Sequence, residues 1–151
     1  MFGNHTTVPQ AGTTVLRMGL GILILMHGLL KVFVYTVPGT IGFFESVGFP
    51  GVLAIPVIVA EILGGLMLLV GLKTRWASLA LVPILLGATS VHAGNGFTFS
   101  NPGGGWEFTA FLAVALLALS VYGDDGRLSL AGALRRRDVA SPEPSRLRSA
   151  A

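Results

Sequence analysis

Apolar residues gather in four stretches of the chain, and polar residues, glycine and proline collect between them. The first stretch, Thr14 to Tyr35 (TVLRMGLGILILMHGLLKVFVY), is long enough to cross a bilayer as a helix, which takes about 20 predominantly apolar residues. Its interruptions follow a helical period. At 100° per residue Arg17, Gly21, Ile24, Gly28 and Lys31 share one face, and His27 lies beside it. The opposite face, with Ile22, Leu25, Met26, Leu29 and Phe33, is apolar. Such a helix can turn one side to lipid and needs polar partners for the other.

The remaining pattern predicts three more helices, at about 51–72, 76–93 and 106–122, with consecutive ones antiparallel. Pro38-Gly39 ends the first, and the aromatic loop 36–50 is expected to hold a short interfacial segment. The second starts at Pro50 or Pro56, carries Glu61 near its middle, and continues through Gly64 and Gly65. The basic turn Lys73-Thr74-Arg75 leads into the third, which carries Pro83 as an expected kink and His92 in its last turn. An uncharged glycine-rich loop, GNGFTFSNPGGG, leads to Trp106 and Glu107, where the fourth begins. Gly28, Gly64 and Gly65 are the expected points of close helix packing. The expected architecture is all-α: an antiparallel four-helix transmembrane bundle over 14–123, a flexible leader over 1–13, and a short disordered basic tail over 124–151.

Composition agrees with that class. Hydrophobic residues make up 52% of the 151 and charged ones 11%, with mean hydropathy +0.77, whereas soluble domains carry roughly 25% charged residues. No basic cluster precedes the first apolar run, so it is expected to remain as a helix and not to be cleaved as a signal peptide. The absence of cysteine excludes disulfides, thiolate ligands and a thiol nucleophile. The net charge of +3 is a topology signal and not a nucleic-acid footprint, because it sits in one short loop and the tail. Lys73 and Arg75 share a side with six tail arginines, and the other two loops carry no Lys or Arg, so both termini are expected in the cytoplasm.

The chemistry rests on the ionisable groups at membrane depth. With a rise of ~1.5 Å per residue, His27 lies about 19 Å and Glu61 about 16 Å from the cytoplasmic end, and Lys31 and His92 about 25 Å. These depths suggest one layer pairing His27 with Glu61 and a second gathering Lys31, His92 and Glu107. Together the five form a candidate polar pocket, and Arg17 is expected to snorkel at the inner face. The His27–Glu61 pair suits either a quinone-head or proton-relay site or a structural tie between helices. The outer layer suits a docked anion or a salt bridge closing the outer mouth. A metal site among His27, Glu61, His92 and Glu107, or a haem between the histidines, is a lesser alternative. The depth offset of about 5 Å between the histidines weighs against a shared iron, and no metal is assigned.

Several segments also match a known family in order and spacing. LRMGLGILILMHGLLKV, FFESVGFPG and AEILGGLMLLVGLKTRWAS, with the later His92, Trp106-Glu107 and RLSL, resemble DoxX proteins over about residues 14–130. The resemblance implies a four-helix bundle in a bacterial cytoplasmic (inner) membrane and a link to quinone-dependent redox systems. The leading expectation is therefore a small subunit or accessory of a quinone-linked membrane redox complex, embedded in the lipid bilayer beside partner subunits. The sequence holds no nucleotide or flavin site, so a quinone or a partner would supply the redox centre. The alternatives are a non-catalytic scaffold or assembly partner and a small-solute carrier.

Overall fold

The computed structural model describes residues 7–122 together with 129 and 132. Among these residues five α-helices follow one another: α1 (Thr7–Phe33), α2 (Val37–Ser46), α3 (Ala54–Val70), α4 (Thr74–His92) and α5 (Glu107–Tyr122). One 3₁₀ turn, Gly51–Leu53, leads into α3, and another, Ala93–Asn95, extends α4. Helix α1 begins within the segment expected as a leader. Apart from residues 129 and 132, the expected basic tail lies outside the described residues.

Local chemistry explains the breaks. Thr36, at φ 62°, ends the first helical run and caps α2, its Oγ1 accepting the Gly39 N–H at 3.2 Å, and Pro38 occupies an early position that needs no N–H donor. Gly71 ends α3 in the left-handed region at φ 69°, and the Leu72 N–H donates to the Met67 carbonyl at 2.9 Å, closing the turn that glycine makes possible. Pro83 is exposed, and the α-helix continues through it from Thr74 to His92.

The helices pack α1 on α3, α3 on α4, α4 on α5 and α5 on α1. The shared core is apolar, with Leu20 and Ile24 from α1, Leu68 from α3, Leu81 and Leu85 from α4, and Leu112, Leu116 and Leu119 from α5. Polar groups are buried as well: Arg17 is 2% exposed and Glu61 4%. Meanwhile Ile22, Met26, Val59, Leu63, Leu86, Phe111 and Val114 face outward. Water would penalise this distribution and hydrocarbon favours it.

Among the described residues, three stretches are long and apolar enough to cross a membrane: Ala11–Phe33, Gly51–Val70 and Thr74–Asn95. Helix α5 is apolar but has 16 residues, about 24 Å at the α-helical rise, against about 30 Å of hydrocarbon. Among the described residues the protein is an all-helical membrane protein with three long apolar helices and a fourth, shorter one packed on α4 and α1.

Candidate functional site

Glycines bring α1 and α3 into contact and thereby set the site. A Cβ on Gly28 would stand 2.8 Å from Ile62 Cγ1 and 3.1 Å from Glu61 Cβ. One on Gly65 would stand 2.7 Å from the Leu25 nitrogen, and one on Gly21 3.0 Å from the Gly65 carbonyl. Gly64 makes the matching approach to α4, where Leu81 Cδ1 would lie 2.9 Å away. Arg17 meets Leu68 and Leu69 while Gly28 meets Glu61 and Ile62, so α1 and α3 run antiparallel.

At the upper end of this seam Lys31 Nζ donates to both carboxylate oxygens of Glu61, at 2.8 and 2.7 Å. Glu61 is nearly enclosed, its side chain 5% exposed, and Lys31 keeps 20%. The two full charges neutralise each other where an unpaired one would cost several kcal/mol. Thr40 from α2 steadies this corner: its buried hydroxyl shares its one proton between the Thr36 carbonyl at 2.9 Å and the Lys31 carbonyl at 3.2 Å. Sequence reasoning passed over Thr40, because the signals in its loop were the Pro-Gly pair and the aromatic residues, and neither points to a threonine hydroxyl.

The expected layers are thus re-partnered. Glu61 takes Lys31 and not His27. In helical projection Gly28 faces α3, and Lys31, three residues on, returns to that face, whereas His27 is turned about 100° away. The Lys31 stem reaches back to the carboxylate, so Cα depth alone misjudges where the charge lies. His27 is exposed, its Nδ1 lies 2.8 Å from the Leu23 carbonyl, and its ring faces Phe108 of α5 at 6.5 Å between centroids. A carbonyl only accepts, so Nδ1 carries the proton in this bond, and in the neutral ring Nε2 is the acceptor. Among the described residues nothing hydrogen-bonds Nε2.

His92 and Glu107 do not join Lys31. His92 Nδ1 donates towards the carbonyls of Gly103 and Gly104, each at 3.1 Å, and Asn95 Nδ2 donates to the same two at 3.0 Å. Glu107 accepts the Phe99 N–H at 2.7 Å, and its own N–H donates to the Phe97 carbonyl at 3.1 Å. Both side chains fold the glycine-rich loop over the end of the helices. The uncharged loop leaves many backbone groups needing partners, and these two residues flank it closely enough to supply them.

Arg17 is also placed differently from expectation. It does not snorkel: its Nη1 donates to the Leu68 carbonyl and, at 2.8 Å, to that of Leu69. These belong to the last turn of α3, whose carbonyls carry the negative end of the helix dipole; that of Leu68 also accepts the Gly71 N–H at 3.3 Å. Gly71 leaves room for this, since a Cβ there would lie 2.9 Å from Arg17 Nη1 and 2.5 Å from the Ser129 Cβ. Ser129 is itself 4% exposed, and its Oγ accepts the Gly132 N–H at 2.9 Å. Among the described residues, no three His, Cys, Asp or Glu side chains gather as a metal site would require.

A family model described as DoxX matches residues 12–94, more than half of the chain. The chain belongs to the DoxX family. The match takes in α1 to α4, with Arg17, His27, Lys31, Glu61 and His92, and stops before Glu107. This DoxX protein is 37% identical over 79 residues to the Bacillus subtilis (strain 168) protein named "Putative oxidoreductase CatD". That alignment covers 52% of the present chain and 58% of CatD, so it spans less than two thirds of the relative's length. No solved structure matches the chain.

Proposed function

We propose that this DoxX protein is a small subunit or accessory of a quinone-linked redox system in a bacterial cytoplasmic membrane, and that His27 exchanges protons with the quinone head group. One observation carries the reading: an imidazole at span depth, facing outward, with its Nδ1 committed to the Leu23 carbonyl and its Nε2 without a partner among the described residues. In hydrocarbon an unpartnered acceptor of this kind is costly, and a quinol hydroxyl would satisfy it. Phe108 offers a flat aromatic wall beside it, backed by Phe99 at 5.8 Å between centroids. Oxidation of a quinol releases two protons and two electrons. His27 Nε2 takes one proton, the second passes to water at the membrane face, and both electrons leave through a redox centre on a partner subunit. The oxidoreductase name of the CatD relative supports the same class of chemistry.

In this reading α5 is a fourth span and both termini are cytoplasmic. Support comes from Lys73, Arg75 and the tail arginines, against loops 36–50 and 94–105 that carry no Lys or Arg. A scaffold role is the second reading, favoured by the closed Lys31–Glu61 pair and by Arg17, whose bonds hold helices together. The test is quinone content after purification in native lipid. His27→Ala should lose copurified quinone while helix content and melting temperature hold. Unchanged quinone in that variant, or none in the parent protein, favours the scaffold.

A further inference from the structure

On the outer side of the α3–α4 pair lies an apolar groove of about 250 Å³. Ala60, Leu63, Gly64 and Met67 line it from α3, and Trp76 and Ala80 from α4. The small residues make it: Gly64 lets α4 close in on α3, while Ala60 and Ala80 leave the surface between them hollow. From Ala60 to Met67 it follows α3 for about 10 Å. One end lies in the apolar part of the span. The other opens at Trp76, which is 67% exposed, beside the turn that carries Lys73 and Arg75. Both cations are exposed, and neither makes an ion pair or side-chain hydrogen bond among the described residues.

We propose that this groove is a binding site for an anionic phospholipid, with an acyl chain lying between α3 and α4 and the phosphate held by Lys73 and Arg75. Each part of the lipid has its counterpart in order along the groove. The chain meets methyl and methylene groups, the glycerol level meets the Trp76 ring, and the phosphate meets two cations. A second copy of the protein is the competing occupant, because small residues also admit a helix. The charges count against it: two copies related by a two-fold axis along the membrane normal would bring four cations to one level, with no carboxylate beside them among the described residues. The site is separate from His27, which faces α5, so it stands or falls independently of the quinone reading.

Brominated lipids test the proposal in the full-length chain. Trp106→Phe leaves Trp76 as the single tryptophan. The protein is reconstituted in phosphatidylcholine vesicles in which part of the lipid is dibrominated phosphatidylglycerol or dibrominated phosphatidylcholine, and Trp76 quenching is read. The relative association constant should favour phosphatidylglycerol, at roughly fivefold per cation and about thirtyfold at most. Lys73→Gln with Arg75→Gln, on an exposed turn that leaves the core intact, should bring the ratio to about 1. Ala80→Phe, which fills the groove with both cations in place, should lower it by at least about threefold. Equal quenching by the two lipids in the parent overturns the site, as does a preference that survives loss of both cations. A preference unaffected by Ala80→Phe reduces it to two surface charges and also overturns it. Protection of Trp76 from both brominated lipids assigns the groove to a second copy instead.

Discussion

Replacing Glu61 by glutamine and Lys31 by methionine, singly and together, measures how far the α1–α3 seam depends on its ion pair. At 2.7 to 2.8 Å two unit charges attract by about 6 kcal/mol at an effective dielectric constant of about 20. Taking both groups out of water offsets much of this, and the 20% exposure of Lys31 screens more. The net worth of the pair is therefore well below the Coulomb figure. The single variants tell more, because each strands a charge. Glu61→Gln leaves an ammonium on a flexible stem that can move towards the surface, and should cost about 2 to 3 kcal/mol. Lys31→Met strands a carboxylate that is 5% exposed and has no such escape, and should cost about 3 to 4 kcal/mol. The double variant strands neither charge and should cost no more than the worse single one. The coupling energy is then at least about 2 kcal/mol. The assay is equilibrium unfolding in bicelles, titrated with SDS and followed by circular dichroism, with all four proteins measured at one pH. A double variant whose cost equals the sum of the singles to within about 0.5 kcal/mol refutes the pairing.

Four further outcomes follow from the packing. Gly28→Ala puts a Cβ 2.8 Å from Ile62 Cγ1 and 3.1 Å from the Ile62 nitrogen, so it should destabilise by about 1 to 3 kcal/mol in the same assay. Gly19→Ala meets nothing within 4 Å and should be neutral or stabilising by up to about 1 kcal/mol. Arg17→Gln should cost about 2 to 4 kcal/mol, because it removes a charged donor from the Leu68 and Leu69 carbonyls, and Arg17→Lys should recover only part of that. Glu107→Ala frees the Phe99 N–H and should raise hydrogen exchange and proteolysis in the 97–105 loop, with the Lys31–Glu61 coupling unchanged. Loss of that coupling in Glu107→Ala would mean that the loop and the pair form one unit after all.

What the sequence by itself determined is local and periodic. A 3.6-residue period marked the face of α1 that carries Arg17, Gly21, Ile24, Gly28 and Lys31; the first four are buried, and Lys31 is mostly so. Runs of apolar residues marked the long helices, and the basic turn marked the break between α3 and α4, whereas Pro38-Gly39, expected as a break, lies inside α2. All of these depend on residues a few positions apart, so the chain displays them without knowledge of its partners. Which polar group meets which was decided only by tertiary structure. The rise per residue places a Cα in depth but not the end of a lysine stem, and one step along a helix turns a side chain by about 100°. That single step separates Gly28, which faces Glu61, from His27, which faces Phe108. Arg17 could find the last turn of α3 only once the glycine seam had set α1 against it in antiparallel register, because the carbonyls it binds lie 51 and 52 residues away along the chain.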